Sequence, residues 1–221
     1  MRSFRKFKSA IQNLLISNWN QYKRDYPWRH RISAYRIMVA EFMLQRTRAD
    51  QVAPVYQKFT TQFPSIKALA RARTREVARY TRHLGIHWRA RHFIESSRFV
   101  VREFGGKIPS RRDKLLSIPG VGEYVAGAIL TVAFQKSEWV IDSNIARFFD
   151  RLFNLRLKGE LRRKPQVVQA AKEFFNFQNQ RTLLFSLLDF TALICTPRQP
   201  RCPICPLKQK CQYKSKSKTK T

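Results

Sequence analysis

Four cysteines, Cys195, Cys202, Cys205 and Cys211, are confined to the last 27 positions of the chain in the spacing C-x6-C-x2-C-x5-C. With no cysteine earlier in the sequence, a disulfide framework is disfavoured in a chain of this size. Four thiolates in one short loop suit either a [4Fe–4S] cluster or a tetrahedral zinc ion, and the spacing leaves both open. Pro197, Pro200, Pro203 and Pro206 stiffen the loop and pre-set its turns. The first cysteine ends the apolar stretch Leu187-Leu188-Asp189-Phe190-Thr191-Ala192-Leu193-Ile194. A metal there would staple the loop to a helical core, a structural role that holds Arg198 and Arg201 rigidly for phosphate.

Charge points the same way. The chain carries 44 Lys+Arg against 14 Asp+Glu, a formal +30. Such an excess repels itself in a compact fold and calls for a polyanionic counterpart. Nucleic acid fits best, because Lys and Arg contacts to phosphate release counterions. An anionic membrane surface is the rival. The basic, amphipathic segment 1–24 also resembles a transit peptide, although its apolar residues continue into an ordinary helical stripe. No apolar run approaches the roughly 20 residues that span a bilayer, so the expectation is a soluble intracellular protein without membrane partners. A hydrophobic fraction of 43% with 17 Phe is ample for a packed core and excludes disorder over most of the length.

The apolar pattern is helical throughout, and the fold class expected is all-α. Ile11, Leu14, Leu15, Ile16, Trp19 and Tyr22 form a first stripe with helical spacing. Ser33 is placed to cap a second helix, whose Tyr35, Met38, Val39, Phe42 and Met43 fall on one core-facing side. Glu41 and Gln45, four apart, would project from one flank of that helix. Further helices are expected around Val52–Phe59 and over 66–72, 75–84, 89–104, 125–134, 145–153, 167–175 and 182–194, with Gly85 and Gly105-Gly106 as breaks. The tail 214–221 contains only Lys, Ser and Thr and reads as disordered.

Two local patterns carry chemistry. In Ile118-Pro119-Gly120-Val121-Gly122-Glu123-Tyr124 the paired glycines allow a sharp turn that brings amides close to an anion, with a helix N-terminus at the same point. This is either a helix–hairpin–helix phosphate clamp or a plain helix connection. Eighteen residues past Tyr124, Val140-Ile141-Asp142-Ser143-Asn144 precedes a helix. Asp142 is first an N-cap. That position would favour its ionised form, and an ionised carboxylate is what a sugar oxocarbenium requires.

The cysteine loop, the hairpin and the following aspartate, in that arrangement, resemble the endonuclease III/MutY superfamily of helix–hairpin–helix DNA glycosylases. The resemblance spans nearly the whole chain. It implies a [4Fe–4S] cluster on Cys195, Cys202, Cys205 and Cys211. It also implies two helical domains with the active cleft between them: a six-helix barrel over 25–136 holding the hairpin, and a cluster domain joining 1–24 to 137–213. By the same resemblance Asp142 is the essential carboxylate, and Glu41 donates a proton or positions water at the departing base. Gly120, Val121, Gly122, Arg198 and Arg201 hold DNA, while Gln45 and Arg46 fill the stack vacated by a flipped nucleotide. Strand-cleaving members place a lysine two residues after the second hairpin glycine, where this chain has Tyr124. A phenol cannot form the Schiff base that elimination needs, so a monofunctional glycosylase that leaves an abasic site is expected.

Specificity divides two subgroups. Phe42-Met43-Leu44-Gln45-Arg46-Thr47 looks like MutY, which removes adenine opposite guanine or oxidised guanine. Tyr124, the run 109–116 and the short length look more like the archaeal-type thymine/uracil–guanine mismatch enzymes, the reading preferred here. Ile86-His87-Trp88 matches neither. The partner expected is double-stranded DNA with a mismatched or damaged base, bound by a monomer. The competing class is a non-catalytic iron–sulfur DNA-binding module, which would explain charge, hairpin and cysteines without Asp142.

Overall fold

A computed structural model describes residues 2–86 and 88–213, so the tail 214–221 and His87 lie outside the described residues. The described chain is helical and, among these residues, contains no strand. It divides into two units, one formed by Met1–Arg24 with Ser137–Thr221 and one formed by Asp25–Lys136.

Helix α1 (Arg2–Ser17) opens the first unit, burying Ile11 and Leu15, and a 3-10 turn at Trp19–Gln21 follows. The second unit holds α2 (Ala34–Leu44), α3 (Ala49–Gln62), α4 (Ile66–Arg71), α5 (Thr74–Thr81), α6 (Arg89–Phe104), the five-residue α7 (Arg112–Leu116) and α8 (Glu123–Ala128). The chain returns to the first unit as α9 (Ser143–Leu152), α10 (Pro165–Phe174) and α11 (Gln180–Leu193).

Several boundaries have a local cause. Ser33 accepts the Arg36 amide at 3.2 Å and starts α2, as a serine N-cap should. The expected stripe of α2, Tyr35, Met38, Val39, Phe42 and Met43, is buried. Gly85 at φ 81° ends the 3-10 turn after α5, and Gly105 at φ 60° ends α6; both take the left-handed conformation that favours glycine. The helix expected over 125–134 is broken in kind. After α8 the chain makes one π turn, Ile129–Ala133, closed by Phe134 N–H donating to the Ile129 carbonyl at 3.3 Å. Such bulges occur mostly as single turns inside helices.

Asp189 shows why the N-terminal segment belongs with the C-terminal part. This fully buried carboxylate of α11 accepts Trp19 Nε1 at 2.9 Å, the Arg24 amide at 3.1 Å and Arg24 Nε at 2.6 Å. The core beside it is aromatic: Phe148, Phe149, Phe174 and Phe190 pack edge-on or tilted. In the second unit Phe42, Phe59 and Phe93 play the same part.

Candidate functional site

In the second unit the hairpin is built on Gly120, at φ 80°, where a Cβ would sit 3.1 Å from His92 Nδ1 and 3.4 Å from Phe42 Cζ. Both the conformation and the space require glycine. Val121 N–H closes the turn on the Ile118 carbonyl at 3.0 Å, and Ser96 Oγ donates to the Pro119 carbonyl at 2.5 Å. Gly122 then leads into α8, which begins with Glu123 paired to Arg112 at 2.6 Å and continues with the half-buried Tyr124.

Glu41 lies half-buried in α2. Helix α2 runs to Leu44, and Gln45 is its C-cap: its φ of −56° is still helical, and its ψ of 112° turns the chain away after it. Arg46 follows at φ 55°, a left-handed conformation uncommon for a residue with a side chain. The cause is a residue the sequence reading passed over. Arg89, 1% exposed, reaches the Gln45 carbonyl at 2.7 Å, the Thr47 hydroxyl at 3.0 Å and the Leu84 carbonyl at 3.0 Å. As one of 44 basic residues it carried no distinguishing signal.

In the first unit Asp142 is the N-cap of α9: Oδ1 accepts the Ile145 amide at 2.7 Å and Oδ2 accepts Asn144 Nδ2 at 3.2 Å. The expectation that capping would favour ionisation needs correcting. Burial pushes the Asp142 carboxyl above its ordinary range, against the opposing pull of the Ile145 and Asn144 hydrogen bonds and the Arg147 charge. Desolvation outweighs the cap.

The same helix reaches the cysteine loop. Arg147 donates to Asn144 Oδ1 at 2.8 Å, to the Cys195 carbonyl at 2.8 Å and to the Thr191 carbonyl at 3.0 Å. One turn later Arg151 donates to the carbonyls of Thr196 and Pro197, both at 2.7 Å, and to Cys195 Sγ at 3.6 Å. These two arginines, four apart on α9, were also missed; only their spacing ahead of the loop hinted at them. All four cysteines line one cavity of about 60 Å³ together with Phe148, Leu152 and Phe190. Burial and the other three cysteines push the Cys205 thiol up to about 11. Among the described residues, no three His, Cys, Asp or Glu side chains converge as ligands of a single metal ion. Arg198 and Arg201 are exposed on the loop.

Residues 39–176 match the HhH-GPD superfamily of base excision DNA repair proteins. The thymine/uracil-DNA glycosylase of Methanothermobacter thermautotrophicus is 30% identical over 97% of this chain and 97% of its own length. The adenine DNA glycosylase of Mycolicibacterium smegmatis is 33% identical over 91% of this chain and 68% of its own length. A solved thermostable thymine-DNA glycosylase superposes with a TM-score of 0.88 at 30% identity, covering 95% of this chain and 97% of its own. The chain belongs to the HhH-GPD superfamily of base excision DNA repair proteins. By class it is a DNA glycosylase. No described helix is long and apolar enough to cross a membrane.

Proposed function

We propose that this glycosylase removes thymine or uracil opposite guanine from double-stranded DNA by hydrolysis, without cutting the strand. The observation that carries the reading is Asp142: its carboxylate is fixed at the head of α9 by Ile145 and Asn144. It therefore needs no reorganisation when a cation forms on the sugar. The specificity is supported by the thymine/uracil relative, 30% identical over 97% of this chain, and by the superposition on the thymine-DNA glycosylase structure.

The target base is inaccessible inside a duplex, so the nucleotide is first extruded. Gln45 and Arg46 fill the vacated stack, and the hairpin at Gly120, Val121 and Gly122 holds phosphate with Arg198 and Arg201. As the C1′–N bond breaks, its electron pair leaves with the base and the Asp142 carboxylate stabilises the oxocarbenium sugar. Glu41 gives the proton that neutralises the departing base, or positions the attacking water. Water adds to C1′ and gives up its second proton to the Glu41 carboxylate or to solvent, leaving an abasic site. Tyr124 has no amine for a Schiff base, so the reaction ends there. The protein acts as a monomer inside the cell.

The cysteine loop fits a [4Fe–4S] cluster. Its four sulfur-bearing residues line one cavity. Cys195, Cys202, Cys205 and Cys211 would hold it, and its contribution would be to rigidify the loop carrying Arg198 and Arg201.

Duplexes containing T·G, U·G, A·G or A opposite 8-oxoguanine, incubated with the protein and then heated in alkali, test this. Breakage of the T·G and U·G duplexes only after alkali is expected. Release confined to the adenine duplexes would replace the specificity by the MutY type, and breakage before alkali would overturn the role of Tyr124.

A further inference from the structure

Arg89 stands at the first position of α6, yet its guanidinium is turned wholly inward. Burying a cation carries a large desolvation cost unless it is well hydrogen-bonded. It donates to the Gln45 and Leu84 carbonyls and to the Thr47 hydroxyl. Among the described residues, its Nε has no hydrogen-bond partner. Thr47 Oγ1 closes the same knot by donating toward the Leu84 carbonyl at 2.9 Å and the Gln45 carbonyl at 3.2 Å. The residue enclosed between these anchors is Arg46, exposed and at φ 55°. A conformation of that kind persists only where its surroundings over-determine it.

The knot lies within one unit and joins two loops. One is the end of α2 at Gln45–Thr47. The other contributes the Leu84 carbonyl and stands before α6, whose N-cap Trp88 is 49% exposed and seated against His92 at 4.3 Å between ring centroids. We infer that Arg89 is a positioning residue: it holds the Gln45–Arg46 turn in the shape that enters the duplex and stabilises the extruded nucleotide. This rests on the reading above that Gln45 and Arg46 fill the vacated stack. The planar guanidinium is suited to the task because one rigid group can hold several acceptors at fixed angles, which an ammonium cannot.

A positioning role makes a distinction that a purely structural one does not. If the turn serves extrusion, its loss matters when the target base is paired and stacked, and matters little when the base is already unpaired. The test uses the full chain with Arg89→Met and Arg89→Lys. Base release is timed on a mismatched duplex and on the same target base in a bulge, using the base that the wild type releases. The fluorescence of 2-aminopurine beside the target reports unstacking, and circular dichroism verifies the helices. Extrusion costs pairing and stacking, so Arg89→Met is expected to slow release from the duplex by about tenfold or more and to weaken the 2-aminopurine signal. On the bulge the slowing is expected to be no more than about threefold. Should Arg89→Met fail to fold, Arg89→Lys is read in the same way, with a smaller loss and the same rescue. Equal slowing on both substrates, or none on either, overturns the inference. A wild type that unstacks 2-aminopurine but releases no base would instead count against the proposed chemistry and leave the role of Arg89 standing.

Discussion

The Asp142 carboxylate and the Ile145 amide lie 2.7 Å apart, so the residue proposed to face the sugar is also the residue that starts helix α9. The second oxygen of Asp142 is met by Asn144, and Asn144 in turn by Arg147, which reaches on to the Cys195 carbonyl. A continuous series of hydrogen bonds thus runs from the carboxylate to the first cysteine of the loop. Its members lie within a single unit.

Asp142→Asn separates chemistry from folding. Asparagine caps helices as well as aspartate does, so α9 should begin at the same place and binding to a mismatched duplex should be retained. Base release should fall by about 10²–10³-fold, the loss typical when a preorganised electrostatic contact to a transition state is removed. Single-turnover release and filter binding on one duplex measure both. Unaltered release would remove Asp142 from the reaction, and no release in either form would leave a DNA-binding module.

The same substitution has a signed effect on stability. Burial raises the folded-state pKa of Asp142 above the roughly 3.9 of an unfolded aspartate. Its favourable contribution is therefore fully present below the unfolded value and is lost as pH rises through the folded one. Asparagine cannot ionise, so the thermal midpoint of Asp142→Asn should gain on the wild type as pH increases, levelling off above the folded pKa. Arg147 and Arg162, the cations coupled to this carboxylate, limit the gain. The acid limb of base release should fall above the ordinary carboxylate range. A variant midpoint that falls relative to the wild type as pH rises would contradict this.

Where the sequence was legible, one residue's local preference and the global packing agreed. Ser33 caps α2, the stripe from Tyr35 to Met43 is buried, and Asp142 caps α9. It was illegible where tertiary contacts overrode local preference. Nothing in Leu44-Gln45-Arg46-Thr47 signals a helix end; α2 ends there in the grip of Arg89, which is distant in sequence. The π turn was hidden for a different reason. Ile129, Leu130, Thr131 and Val132 are all buried, so no polar face marks the period that would distinguish one helix type from another. The cysteine motif was plain in spacing, but the arginines of α9 that brace it looked like ordinary surface charge.

Asp189 should matter more to stability than any exposed ion pair. Asp189→Ala leaves Trp19 Nε1 and the Arg24 amide without their acceptor. Breaking a buried pair costs about 3–5 kcal/mol; because Arg24 retains 27% exposure, about 2–3 kcal/mol is a better expectation after solvent screening. In a chain of this size that corresponds to a fall in Tm of roughly 4–12 °C. Differential scanning calorimetry of the two proteins checks it, and a drop no larger than that of Arg91→Ala, which breaks an exposed pair, would refute it.

The cysteine loop makes the last prediction. Pro200, Cys202, Cys205 and Cys211 enclose their cavity against Phe148, Leu152 and Phe190, while Arg147 and Arg151 grip the loop backbone from α9. With the proposed cluster bound, two sets of restraints would act on one segment: the cluster from inside and two arginines from outside. Freshly purified protein should be brown and carry roughly four iron and four sulfide per chain, as a [4Fe–4S] group requires; a colourless protein with one zinc would refute the assignment. Cys202→Ser should bleach the colour and lower the thermal midpoint. It should leave helix content nearly unchanged, because the aromatic contact of Phe149 with Phe174, between α9 and α10, involves no residue of the cavity. DNA affinity should fall with the colour, since Arg198 and Arg201 ride on the segment that has lost its inner restraint. Arg151→Met should loosen the same segment from the other side. If affinity instead survives bleaching unchanged, the arginines alone position the loop, and the metal serves stability without serving binding.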